Sequence, residues 1–310
     1  MGQRSTGRQR LSQHAGEGET KMTYESGFDP VAFKETTRQQ WQAAAAAWHR
    51  WEPILHDWLG PVTTLMLDLA RIGPGARVLD VAAGAGEPSL SATERVGETG
   101  YVLATDIAAN ILAFAAQEAH ARGLTEAVFQ TRVMDGENLE LDDASFDAAF
   151  SRLGLIYFPD RARGLAEIWR VLKPGGRAVV ASFTTPDRNR FFSLPLGIIG
   201  RRAHLPMPLP GQPGPFSLGD PLMMMDAYRT AGFRKIETYL ISTPLRLPSA
   251  AACVQFERES FGALHQMMRG LPVEDRAAAW EEIAWELSRF EGEGGFEAPT
   301  ELCVGMGVRG

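Results

Sequence analysis

The sequence predicts an α/β protein with a doubly wound, mostly parallel, seven-stranded sheet. Three observations predict it: short apolar runs recur from residue 77 onward, helix-like segments separate them, and a glycine-rich turn follows the first run. Strands that alternate with helices need crossover connections, and these cover a parallel sheet on both faces.

The elements follow in order. Residues 77–82 read as a buried strand and 87–96 as the helix after it; 101–105 is a second strand, with a helix over 108–121. Residues 127–133 and 146–151 give strands three and four, 160–172 a helix stopped by Pro174-Gly175-Gly176, and 177–183 strand five. Asp220-Pro221 has the form of an N-cap with proline in the first turn, and Gly232 that of a helix stop. Residues 235–242 and 301–308 supply the last two strands. Ahead of this core, Trp41, Trp48, Trp51, Leu55 and Trp58 fall at helical spacing, and Pro53 divides the stretch into two helices. The expected organisation is a tail over 1–27, an N-terminal helical lid over 28–75, and a core over 76–310. Two cover insertions interrupt that core: 186–219, rich in Pro and Gly, and 248–292, helical, with Trp280, Ile283, Ala284, Leu287 and Phe290 on one face.

Composition excludes several classes. The chain has 310 residues, 45% hydrophobic and 22% charged, as an ordinary globular protein does. Its net charge of −7 argues against nucleic acid as a partner. Two cysteines, Cys253 and Cys303, make neither a disulfide framework nor a four-ligand zinc site, and read as buried small hydrophobes in a reducing compartment. No His/Asp/Glu grouping has metal-ligand spacing, so no metal is expected. No run is long enough to span a membrane. The first 22 residues are polar and lack the core of a secretory signal; Gly2 and Thr6 fit a myristoylation pattern formally, but a solvated tail is the better reading. A cytoplasmic protein without a stable membrane anchor is expected, with a homodimer as one option for its assembly.

The chemistry sits at the strand ends. After Val78-Leu79-Asp80-Val81-Ala82 comes the turn Ala83-Gly84-Ala85-Gly86, which lets a ligand approach the backbone and aims a helix N-terminus at it. Asp106 ends the second strand twenty residues after Gly86, where a carboxylate can accept both hydroxyls of a ribose. Asp135, in Met134-Asp135-Gly136, ends the third strand and could accept from an adenine amino group. A dinucleotide site would have glycine where Ser89 stands. Asp80 and Glu87 put negative charge where a pyrophosphate would lie. A ligand with a cationic amino group and no phosphate suits these residues better.

These motifs resemble the class I S-adenosylmethionine-dependent methyltransferases, whose fold is Rossmann-like. More narrowly, they resemble the branch of the ubiquinone/menaquinone-biosynthesis enzymes. The first motif runs from Val78 to Gly86, with Ala82 in place of the usual first glycine. Ala104-Thr105-Asp106-Ile107, Asp135-Gly136 with the acidic run 142–147, Leu172-Lys173-Pro174-Gly175-Gly176 and, later, Ala231-Gly232-Phe233 complete the match. The resemblance implies S-adenosyl-L-methionine as cofactor. It places Asp106 on the ribose, Asp135 on the adenine amino group, and Met134 and Ile107 on the adenine faces. The backbone near Ala82, Gly84 and Ser151 would line the methionine part, with Asp80 ordering the turn.

A sulfonium methyl is already activated, so the protein mainly aligns the acceptor and excludes water. A hydroxyl acceptor also needs a base, and no pattern fixes one. His204, His265, Tyr157 and Glu257 are candidates by position only. Met223, Met224, Met225, Phe191 and Phe192 suit core filling or an apolar or aromatic small-molecule acceptor. Two rivals stand beside this reading. A nicotinamide-dependent oxidoreductase is disfavoured by Ser89, Asp80 and the lack of a Tyr-x-x-x-Lys pair; the other rival binds the cofactor without turnover.

Overall fold

A computed structural model describes residues 28–206 and 211–310. The expected tail, with its myristoylation-like start, and residues 207–210 of the first insertion lie outside the described residues.

Helices α1 (Pro30–Arg50) and α2 (Glu52–Leu69) precede the sheet. Asp29 starts α1 by accepting the N–H groups of Val31 and Ala32, and Pro53 stands in the first turn of α2, as its fixed φ allows. The core then runs β1 (Arg77–Val81), α3 (Glu87–Val96), β2 (Tyr101–Asp106), α4 (Ala109–Ala121), β3 (Phe129–Val133), β4 (Phe146–Arg152), α5 (Arg161–Val171) and β5 (Leu172–Phe183). After α6 (Arg190–Arg202) and α7 (Pro221–Thr230) come β6 (Phe233–Ser242) and β7 (Leu245–Leu247). Helices α8 (Ala250–Ser260), α9 (Gly262–Met267) and α10 (Val273–Leu287) lead to β8 (Glu291–Gly292), β9 (Gly295–Ala298) and β10 (Glu301–Arg309).

The main sheet has the order β3-β2-β1-β4-β5-β10-β6. β1 pairs in parallel with β2 on one side and β4 on the other, while β10 is antiparallel to both its neighbours. The chain therefore reverses its direction of winding beside β1, which opens a crevice at the carboxyl ends of β1 and β4. Alternate residues of β1 feed opposite cores. Val78 packs with Leu67, Leu90 and Leu112 from α2, α3 and α4, whereas Leu79 and Val81 pack with Leu165 and Ile168 of α5 and Tyr228 of α7. Burying each such side chain contributes about 1.5–3 kcal/mol, which is why a continuous apolar run makes a central strand.

Two parts differ from the sequence expectation. The first insertion contains the helix α6 where its Pro and Gly content read as a connection. Phe191, Phe192, Ile198 and Ile199 lie on one side of that helix and are buried, and Phe191 meets the Trp58 ring edge-on. A small sheet of order β7-β9-β8 joins the two ends of the second insertion; the sequence did not announce it, because strands of two to four residues carry too little alternation to read. Cys253 and Cys303 are both buried free thiols. Among the described residues, no helix is long and apolar enough to cross a membrane.

β10 shows what a glycine inside a strand can be for. The buried Tyr228 ring lies against Gly305 and Gly307, and its hydroxyl donates to the Gly305 carbonyl at 2.9 Å. A Cβ at Gly305 would come within 2.6 Å of Met224 Cγ and 2.9 Å of the Tyr228 ring. Gly305→Ala is therefore predicted to cost about 1–3 kcal/mol by overpacking. Urea unfolding measures this, and an unchanged midpoint would show that α7 can yield.

Candidate cofactor and acceptor site

The turn after β1 is built from left-handed backbone. Ala82, Gly84 and Gly86 have φ of 61°, 58° and 93°. At Gly86 the reason is packing: a Cβ there would lie 2.5 Å from Ala115 Cβ, so glycine lets α3 and α4 close on each other. Ala82 adopts the same region at a cost of roughly 1–2 kcal/mol, and Gly154 makes room for it, since a Cβ on Gly154 would lie 2.3 Å from that of Ala82.

The three acids occupy different environments. Asp106 is 8% exposed. Its Oδ2 accepts the Gly84 N–H at 3.0 Å and its Oδ1 the Ala108 N–H at 2.9 Å, while burial raises its pKa. Asp80, at 1% exposure, is more deeply buried. Ser89 donates to its Oδ2, but its Oδ1 has no hydrogen-bond partner among the described residues. Burial pushes the Asp80 carboxyl up to about 7 in spite of Ser89 and the nearby Arg152. Asp135 takes the Glu137 N–H at 2.9 Å and the ammonium of Lys34 at 2.7 Å. Partial burial would lower the pKa of Lys34, but hydrogen bonds to Asp135 and Glu137 outweigh it and raise that pKa.

Helix α1 roofs the carboxyl ends of β1 and β2 and the loops beyond β3 and β4, enclosing a cavity. Asp80, Ala82, Gly84, Gly86, Asp106, Ile107, Met134, Asp135 and Gly136 all line it, and so does Tyr157. Ser151 does not. It is buried, its hydroxyl accepts the Leu155 N–H at 3.2 Å, and Arg152, Leu153 and Gly154 form the wall beside it. His204 and His265 are also outside the wall. His204 stands just beyond α6 in a left-handed turn, and exposed His265 bonds to the Arg258 carbonyl at 2.6 Å. Met224 fills the core under β10, so the methionine run is packing at that position.

The sequence reading missed Lys34 and Arg152, which line the cavity; Trp41 and Trp48, read from their spacing as a stripe of the helical lid, line it as well. Lys34, Trp41 and Trp48 are seven residues apart and so share one helical face, a signal that could have found the lysine. Arg152 corrects the argument from Glu87. The two form a buried ion pair, each side chain 9% exposed, and Arg152 also donates to Thr63 of α2 at 2.6 Å. Glu87 is thus compensated, which leaves Asp80 as the acid beside the turn without an ion-pair partner of its own among the described residues.

Fold and cavity together bring a glycine-rich turn and three acids around one cavity at the carboxyl ends of the strands. The orphan Oδ1 of Asp80, buried beside the left-handed turn, fits an ammonium or sulfonium and repels phosphate. Residues 79–180 match the family model described as a methyltransferase domain. The chain is 31% identical over 207 residues to a nocamycin O-methyltransferase of Saccharothrix syringae, covering 64% of this chain and 73% of the relative. A demethylmenaquinone methyltransferase of Deinococcus radiodurans is 39% identical over 117 residues, 37% of this chain and 46% of the relative, so the chain matches under half of that enzyme's length. The crystal structure of the YcgJ protein of Bacillus subtilis shares the fold, with a TM-score of 0.53 at 18% identity over 81% of this chain and 98% of that one. The chain belongs to the S-adenosylmethionine-dependent methyltransferases, and S-adenosylmethionine is its cofactor.

Asp80 makes a pH prediction. Its folded pKa of about 7 lies above the ordinary 3.8, so between those values the folded chain holds a proton that the unfolded chain has released. Stability from this group is therefore lost as pH rises through that window, by on the order of a few kcal/mol at most. Asp80→Asn should flatten the fall measured by urea unfolding at pH 5 and pH 7.5. Parallel curves for the two proteins would contradict it.

Proposed function

We propose that this enzyme transfers the methyl group of S-adenosylmethionine in line to a small hydrophobic or aromatic acceptor, and that oxygen is the accepting atom. The observation that carries the proposal is the aromatic roof over the polar strand ends. The Trp41 ring lies 5.3 Å from Trp48 and 5.8 Å from Tyr157, both edge-on, and all three line the cavity with Leu55, Leu59 and Leu153. Offset and edge-on aromatic pairs present a wide apolar face to a flat ligand. The name of the nocamycin O-methyltransferase supports oxygen as the acceptor atom.

In this proposal the chain's residues divide the work. Asp106 keeps lone pairs for the ribose hydroxyls beyond those used by Gly84 and Ala108. Asp135, shared with Lys34, receives the adenine amino group, and Ile107 and Met134 enclose the base. Asp80 and the turn after β1 hold the methionine ammonium. The bound sulfonium supplies a methyl that is ready to leave, so the protein's contribution is alignment and dryness. Trp41 and Trp48 of α1 provide the dryness by closing the cavity from above. Helices α1 and α2 then act as the lid and the two insertions as cover. Unpaired buried thiols support a reducing, cytoplasmic setting.

Two outcomes follow. Asp106→Ala removes charged hydrogen bonds worth roughly 1.5–3 kcal/mol and should weaken S-adenosylhomocysteine binding about 10- to 100-fold by calorimetry. Unchanged affinity would remove Asp106 from the site. Methyl-labelled cofactor incubated with enzyme and cell extract should place label in apolar compounds of low molecular weight. Label confined to protein or nucleic acid would contradict the acceptor class, and no transferred label would favour a binder without turnover.

A further inference from the structure

The cavity has two ends. At the β3 end, proposed above for the adenine, Lys34 of α1 holds Asp135 and Glu137. At the β4 end Arg152 holds Glu87 and donates to Thr63, so α2 borders that end. Glu52, Leu55 and Leu59 of α2 all line the cavity, and their spacing puts them on one helical face. Six acids line this cavity, and five of them already accept hydrogen bonds. Asp106 takes two backbone N–H groups, Asp135 and Glu137 share the Lys34 ammonium, Glu87 takes Arg152, and Asp80 takes Ser89. The sixth is Glu52. Its half-buried side chain has no hydrogen bond or ion pair to any described residue, and it shares the wall with Trp48, Leu55 and Leu59. The nearest basic residue in sequence, Arg50, is taken by Glu259.

We infer that Glu52 takes the hydroxyl hydrogen of the acceptor and so selects acceptors that carry a hydroxyl on an aromatic body. The inference rests on the aromatic-acceptor reading above. A carboxylate only accepts hydrogen bonds, so it favours a hydroxyl over an ether or a bare ring of the same shape. As the acceptor oxygen bonds to the methyl carbon, that carbon's bond to sulfur breaks and leaves its electron pair on sulfur. Forming the new bond draws charge from the oxygen, which makes its hydrogen far more acidic than in the free acceptor. That hydrogen leaves as a proton to a Glu52 oxygen, and water at this half-buried side chain carries it away. The other role open to Glu52 is that of an acid in the first turn of α2, facing the helix dipole, which needs no ligand.

The probes are 1-naphthol, 1-methoxynaphthalene and naphthalene, titrated into enzyme saturated with S-adenosylhomocysteine; methyl transfer is then followed with S-adenosylmethionine and 1-naphthol. Wild type should bind 1-naphthol roughly 10-fold more tightly than the other two. Glu52→Leu should erase that preference and leave S-adenosylhomocysteine affinity unchanged. Glu52→Asp keeps an acid in the first turn but withdraws it by one methylene. It should unfold at the wild-type midpoint, while kcat for 1-naphthol falls about 10-fold or more and KM changes less. Glu52→Gln should lose about 100-fold in kcat, because an amide takes no proton at neutral pH. An acid that served only the helix dipole would let Glu52→Asp transfer at the wild-type rate and let Glu52→Leu keep the hydroxyl preference. Either result overturns the role of Glu52 and leaves the aromatic-acceptor reading standing. Wild type binding none of the three overturns that reading and this inference with it.

Discussion

One buried carboxylate holds the site together. Asp106 ends β2, and its two oxygens accept one N–H from the turn after β1 and another from the start of α4. That pair of hydrogen bonds fixes Gly84 in left-handed backbone and sets the distance between two βα units. The approach of α3 to α4 at Gly86 depends on the same geometry, as does the line along which α3 points into the crevice. Burial raises the cost of ionising Asp106, and the amide hydrogen bonds offset part of it. The residue proposed to take the ribose is thus also the residue that shapes the pocket.

Helix α1 is the second support of the site. The sheet supplies only the polar floor of the cavity. Lys34 ties the helix to Asp135 and Glu137 at one end, and Trp48 donates its indole N–H to the Ser260 carbonyl near the other, at 2.9 Å. Between these anchors Trp41 and Trp48 cover the strand ends and leave a cavity with charge below and aromatic faces above. That division suits the proposed transfer from a charged donor to an apolar acceptor kept from water.

The core strands and the acids at their ends were legible in the sequence because their signals are local. A buried strand is a short apolar run, and the turn after β1 favours small residues, with glycine at Gly84 and Gly86 where φ is positive. Asp80, Asp106 and Asp135 follow directly from that spacing. What escaped depends on contacts distant in the chain. Arg152 gains meaning only when β4 brings it to Glu87, 65 residues away, and Lys34 only when α1 folds over Asp135, 101 residues on. Ser151 lies one residue ahead of the wall that Arg152, Leu153 and Gly154 form. His204 and His265 had nothing but position to recommend them. Glu257 had no more, and it lies buried in α8, outside the cavity wall.

The central claim is that the crevice beside β1 holds S-adenosylmethionine and no dinucleotide. Thermal unfolding with S-adenosylmethionine, S-adenosylhomocysteine and NADH in parallel tests it most directly. A ligand at about a hundred times its dissociation constant adds roughly 2.7 kcal/mol to the folded state, enough to raise the midpoint by several degrees. The account predicts that rise with the two sulfur compounds and none with NADH. A rise with NADH alone would contradict it.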